Sequence, residues 1–133
     1  MNRRAIVLWA GLLAASGCRR TLRCATCGMR VDPASPWVSY VKSDVERAYD
    51  TPRCAFTAWR EAGPRAEARF REYYSQEMKS FQELAFVEGS DVVGPMGPDL
   101  VPVAAGRAAR FARDHNGAPP KTAEAVLHGE SAH

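Results

Sequence analysis

The sequence predicts an α+β fold, two ββαβ units forming one compact domain, and three observations carry that reading. Short runs rich in β-branched and aromatic residues alternate at period two, as WVSYVK (37–42) does. Two segments have helical patterning with a clear start or stop. The order strand, strand, helix, strand is then met a second time, which points to an α+β domain built from two similar units.

Taken in order, WVSYVK (37–42) and ERAYD (46–50) flank a Ser-Asp turn and read as a hairpin. Thr51-Pro52 has the form of an N-cap followed by proline at the first helical position. In the helix that follows, Cys54, Ala55, Ala58 and Trp59 share one face, and Gly63-Pro64 stops it. RFREYY (69–74) closes the first unit as a strand. ELAFVEG (83–89) opens the second unit, and GPMGP (94–98) is a rigid loop leading into the strand LVPVA (100–104). AAGRAARFARDHNG (104–117) is the strongest helix, with Ala105, Ala108, Ala109, Phe111 and Ala112 inward and an Asn-Gly ending. KTAEAVL is a weak closing segment in the place of the last strand. Trp37 and Trp59 read as core, and Met78 as an ordinary residue of a polar helical or turn-like run.

Before this domain stands MNRRAIVLWAGLLAASGC, with a basic start at Arg3 and Arg4, an apolar run from Ala5 to Ala15, and small residues before Cys18. That is the anatomy of a secretory signal. Its apolar run is 11 residues long, whereas a helix crossing the hydrocarbon core of a bilayer needs about 20. Ala15-Ser16-Gly17-Cys18 resembles the bacterial lipobox, in which the cysteine is acylated and becomes the new N-terminus. The expected organisation is a signal peptide over residues 1–17, a lipidated tether over 18–23, a domain over 24–126 and a disordered tail over 127–133. Two or three acyl chains hold a protein on a membrane. Arg19 stands where an aspartate commonly retains lipoproteins at the inner membrane, so the expected site is the outer membrane, facing the periplasm.

The chain carries 18 basic and 15 acidic residues, and both Arg3 and Arg4 leave with the signal peptide. A mature chain so near neutrality has no electrostatic footprint for nucleic acid. Of its 4 cysteines, Cys18 is assigned to lipidation, which leaves Cys24, Cys27 and Cys54. An odd number of thiols cannot all close into disulfides, and in an oxidising compartment an unpaired thiol persists best when something protects or uses it.

CATCGMRV (24–31) is therefore the stretch that carries chemistry. Two sulfurs at Cys-x-x-Cys spacing bind one ion or form a disulfide. A zinc knuckle calls for a second pair of ligands, and only Cys54 and His115 are on hand to supply one. A thioredoxin-like couple calls for a helix after the pair, which Gly28 and Asp32-Pro33 disfavour. Methionine changes the balance, because thiolate and thioether together favour Cu(I). In an extended segment Cys27 and Met29 point the same way, and Met96 is fixed in GPMGP. Cys24, Cys27, Met29 and Met96 are the candidate metal ligands. Cys54, at a core-facing helical position, reads as a buried structural thiol.

CATCGMRVD, YDTPRCAFTAW (49–59), AFVEGSDVVGPMGPDLVPVA and ARFARDHNG together resemble the NosL family of nitrous oxide reductase accessory lipoproteins, over nearly the whole mature chain. The resemblance implies a Cu(I)-binding chaperone, a fold of two ββαβ units, and metal ligation by Cys24, Cys27, Met29 and Met96. It also implies partners: apo nitrous oxide reductase with its maturation machinery, and a membrane through the lipid on Cys18. The chain departs from the family pattern at Ala25 and Thr26, where a bulkier residue and a proline are usual, and at Ala55, where methionine is frequent.

The expected function is metal transfer rather than catalysis. A carrier must keep free Cu(I) scarce and still release it by ligand exchange, and two or three soft donors near the surface suit that better than a closed cage. Two other classes stand beside it: an envelope redox or sensor lipoprotein cycling Cys24 and Cys27 through a disulfide, and a structural lipoprotein whose Cys-x-x-Cys is a staple.

Overall fold

A computed structural model describes residues 21–129. The signal peptide over 1–17 and Cys18 lie outside the described residues, as does the tail from 130 onward.

The first unit follows the expected order. Strands β1 (Ser39–Lys42) and β2 (Glu46–Tyr49) form a hairpin, helix α1 (Pro52–Ala62) crosses over, and β3 (Glu67–Arg71) returns beside β1. A further strand, β4 (Met78–Ser80), pairs with β3 and extends the sheet to the order β2-β1-β3-β4. Met78 thus belongs to an edge strand and not to a helical run. α1 starts where its sequence dictates: the Thr51 hydroxyl accepts from the Cys54 N–H at 3.2 Å, and Pro52 takes the first helical position, where no N–H is needed. Its buried face of Cys54, Ala55, Phe56 and Trp59 lies on the sheet, and the Trp59 indole donates to the Ala66 carbonyl at 2.9 Å.

The second unit is abbreviated. β5 (Leu84–Val87) pairs with β8 (Val101–Ala104), with a small hairpin between them formed by β6 (Val93–Gly94) and β7 (Gly97–Pro98). GPMGP is the tip of that hairpin. A 3-10 turn at Ala105–Arg107 precedes helix α2 (Ala108–Asp114). The tighter turn shifts the helical phase, so Ala108, Phe111 and Ala112 are buried, while Ala105 and Ala109, expected inward, face solvent. Asn116 adopts a left-handed φ of 53° and Gly117 packs so closely on Val87 that a Cβ would come within 2.4 Å of it, which accounts for the Asn-Gly ending. The closing strand is reduced to a single bridge between Lys121 and Phe86. Beyond it the chain turns into helix α3 (Ala123–Leu127), where a strand was expected. Thr122 explains the switch, since its hydroxyl caps the Ala125 N–H at 3.2 Å.

Even so, the two units match in topology. β1 lies between β2 and β3, and β5 lies between β8 and the Lys121 bridge. β5 also joins the two cores, because successive strand residues face opposite sides. Leu84 and Phe86 enter the core beneath α1, whereas Val87, with Ala85, packs with Val101, Val103 and Phe111. Phe86 meets Phe56 and Phe70 edge-on, with ring centroids 4.9 and 4.8 Å apart. The fold reaches past the segment edges read from sequence: Val31 donates to the Leu22 carbonyl, Arg23 bridges Arg30, and Leu127 packs against the first core.

Candidate metal centre

The site forms where the N-terminal loop meets the first turn of α1. Residues 22–31 fold back on themselves, with Cys24 N–H on the Met29 carbonyl, Gly28 N–H on the Cys24 carbonyl and Val31 N–H on the Leu22 carbonyl, each at 2.8 Å. Gly28 has φ +76°, a left-handed conformation that glycine adopts freely. Its turn brings both cysteines to the inner side of the loop. The segment 27–29 is therefore bent rather than extended, and the side-by-side arrangement of Cys27 and Met29 expected from alternation does not arise.

Facing this loop are Asp50, in the turn between β2 and α1, and Cys54, in the first turn of the helix. One donor atom from each of Cys24, Cys27, Asp50 and Cys54 lies within 4.8 Å of all the others. Two hydrogen bonds fix the contact: Cys27 Sγ donates to Asp50 Oδ1 at 3.2 Å, and the Thr26 hydroxyl donates to the Cys54 carbonyl at 3.0 Å. Cys24, Cys54 and Asp50 are buried, and Cys27 is half-buried and forms the solvent side of the group. The other carboxylate oxygen, Asp50 Oδ2, is buried with no hydrogen-bond partner. All three cysteines are free thiols.

Burial favours the protonated thiol at Cys27 and at Cys54. Burial raises the Cys27 pKa, and its bond to the Asp50 carboxylate adds to the effect, with the Met29 N–H opposing it. Burial pushes Cys54 far above the usual thiol range, against the Thr51 hydroxyl and with help from Asp50. A low thiol pKa marks a cysteine adapted to nucleophilic exchange, and Cys27 and Cys54 have the opposite character. A cation would replace the protons, since bound thiols are thiolates.

Of the residues singled out from the sequence, Cys24 and Cys27 enter the cluster. Met29 and Met96 are solvent-exposed, at 42% and 56%. Met96 sits on the β6–β7 hairpin, which is tied to the same end of α1: the Arg53 N–H donates to Asp99 Oδ1 at 3.0 Å, and its guanidinium reaches the Pro98 carbonyl at 3.3 Å. Cys54 is buried as expected, and its sulfur also faces the other two. His115 stands apart, bonded to Asp91 at 2.7 Å and stacked on Phe111, so it does not join Cys54 in a zinc knuckle. Asp50 was missed. Its signal was its place in DTPRC, directly before a helix cap and four residues before a cysteine.

A family model, NosL, matches residues 18–125 of the chain. Comparison with curated proteins and comparison with solved structures each find no match.

Proposed function

The chain belongs to the NosL family, and from that premise we propose that it is a lipid-anchored periplasmic carrier of Cu(I), delivering copper for assembly of the catalytic copper centre of nitrous oxide reductase. NosL is a copper-binding accessory family of the cell envelope rather than a family of enzymes. Copper is then cargo, and its passage is the activity.

The observation that carries the reading is the convergence of the Cys24, Cys27 and Cys54 sulfurs within 4.8 Å of one another without a disulfide. Soft thiolates select Cu(I) over harder ions, and three of them satisfy its low coordination number. Cys27, half-buried, lets an incoming ligand approach from one side while Cys24 and Cys54 still hold the ion. Met29 and Met96 supply exposed thioethers on the loop and the hairpin that border this end of α1. Their place in the proposal is as outer donors in uptake and hand-over. The redox alternative is disfavoured by the raised pKa of Cys27, and the staple alternative by the free state of Cys24 and Cys27. Among the described residues no helix is long and apolar enough to cross a membrane; attachment through lipid on Cys18 to the outer membrane belongs to the proposal.

The test is metal content and transfer. Purified without oxygen, the mature protein is expected to hold one Cu(I) per chain and to pass it to apo nitrous oxide reductase in the presence of the maturation machinery. Cys27→Ser is expected to abolish stoichiometric loading. Copper-free protein with a Cys24–Cys27 disulfide would defeat the proposal.

A further inference from the structure

We propose that the end of the domain formed by the N-terminal loop and the β6–β7 hairpin is a membrane-facing surface, which lies on the headgroups of an anionic phospholipid bilayer. This deepens the reading of an anchored carrier and rests on its lipid at Cys18, because it names the face that the anchor brings to the membrane.

Reach is the first argument. Cys18 stands four residues before Leu22, whose carbonyl already accepts from the Val31 N–H inside the folded loop. A chain spans at most about 3.3–3.6 Å per residue, so the loop stays within about 15 Å of an acylated Cys18. The side chains at this end suit a lipid interface. Among the described residues six large hydrophobic side chains are exposed, and four of them are here: Leu22 and Met29 on the loop, Val93 and Met96 on the hairpin. Both elements are fastened to the first turn of α1, the loop through Thr26 on the Cys54 carbonyl and the hairpin through Asp99 and Pro98 on Arg53. Grouped exposed hydrophobics mark a binding surface, and the charge around them selects its occupant. Arg23, Arg30 and Arg53 are exposed at this end and none of them belongs to an ion pair among the described residues. Asp50 and Asp99 are buried, which leaves Asp32 as the exposed carboxylate of the loop. Arg19 and Arg20 in the tether carry the same sign as the arginines. Apolar side chains ringed by cations are what interfacial binding draws on: area buried among the headgroups, and attraction to anionic lipid. Half-buried Cys27 lies on the same loop, so docking shields the mouth of the thiol site and lifting exposes it to a partner.

The experiment reconstitutes the acylated mature chain into vesicles of phosphatidylethanolamine with phosphatidylglycerol, and into phosphatidylcholine vesicles for comparison. Both contain phospholipid spin-labelled near the headgroup. The tryptophan emission added by Met96→Trp is expected to be quenched, more strongly on the anionic vesicles and less as salt is raised. Emission added by Val45→Trp is expected to be spared. Val45 is also exposed, but it lies in the β1–β2 turn, at the opposite end of those strands from Tyr49 and Asp50. Val93→Glu with Arg30→Glu, added to Met96→Trp, is expected to abolish the quenching while the chain stays on the vesicles through its lipid. Circular dichroism confirms that each variant is folded. Equal quenching at positions 45 and 96, no quenching at 96, or undiminished quenching after the two glutamate substitutions overturns the inference. Intact mass reads acylation separately. An acylated chain without quenching at 96 sinks the membrane face and leaves the anchor, whereas an unacylated chain still quenched at 96 by added anionic vesicles sinks the anchor and leaves the face.

Discussion

Thr26 and Cys54, 28 positions apart, are joined by a 3.0 Å hydrogen bond from the threonine hydroxyl to the cysteine carbonyl. The bond fastens the apex of the Cys-x-x-Cys loop to the first turn of α1, so it sets the distance between two thiols on one element and the third on another. A proline, usual at this position in the resembled family, has no hydroxyl with which to make it. Thr26→Val keeps the shape and removes the donor, and is expected to cost about 0.5–1.5 kcal/mol, the net worth of one such bond. Cu(I) affinity should drop with it, while Thr26→Ser should keep both. Urea unfolding and chelator competition read the two effects, and parental values for Thr26→Val would show that the loop is held by other contacts.

Cys54 is the residue whose role the structure changes most. From sequence it is a core thiol, and Cys54→Ser is expected to lower stability with copper binding untouched. Its sulfur, however, belongs to the group with Cys24 and Cys27. Cys54→Ser is therefore expected to have two effects: about 1–3 kcal/mol of lost stability from burying a hydroxyl, and a fall in Cu(I) affinity of about tenfold or more, equivalent to about 1.4 kcal/mol. Circular dichroism establishes folding and a competing Cu(I) chelator measures the second. A folded Cys54→Ser protein with parental affinity would return Cys54 to a purely structural role.

Met96 gives a contrasting case, since it is 56% exposed on the β6–β7 hairpin. Met96→Leu should leave stability within about 0.5 kcal/mol, as surface changes do. Cu(I) affinity is expected to fall less than in Cys27→Ser, and the rate of hand-over to fall as well. Stopped-flow transfer to a thiol chelator makes the comparison. Unchanged affinity and unchanged rate would remove Met96 from the copper path and leave the thiol cluster to act alone.

What the sequence makes legible is local. Thr51-Pro52, Gly63 and Asn116-Gly117 carry their own capping and turn chemistry, and the helices begin or end beside them. The alternation in β1 and β5 likewise reads directly as strand. β4 is not legible, because three half-buried residues, Met78, Lys79 and Ser80, become a strand only through pairing with β3. The last strand fails for a related reason: Thr122 caps a helix, and only Lys121 stays in the ladder. At the site, Cys24 and Cys27 announce themselves by spacing. Asp50 and Cys54 reach them across 23 to 30 positions, a proximity set by the tertiary fold, which the local DTPRC pattern does not by itself give.

Glu72 tests how the two units are held together. Its side chain is 1% exposed, with Oε2 accepting from the Ser75 N–H at 2.6 Å and Oε1 from the Ala104 N–H at 3.1 Å. The next residue, Tyr73, donates its N–H to the Pro102 carbonyl at 2.9 Å, so the end of β3 is stitched to β8. Burial alone would raise the Glu72 pKa, but the backbone N–H groups of Ser75 and Ala104 and the Ser75 hydroxyl outweigh it, and the value is lowered. A carboxylate with a lowered folded pKa adds stability that is complete above its unfolded value of about 4.3 and disappears as pH falls through the folded value. Glu72→Gln replaces one acceptor by an amide donor facing an N–H, at an expected cost of about 1–3 kcal/mol at neutral pH. The gap between parent and variant should then narrow as the pH is lowered below about 4, since the parent carboxyl takes up its proton there. Urea midpoints measured across that range isolate Glu72 from the other acids by difference. A gap that stays constant down to full protonation would mean that its charge contributes nothing and only its shape does.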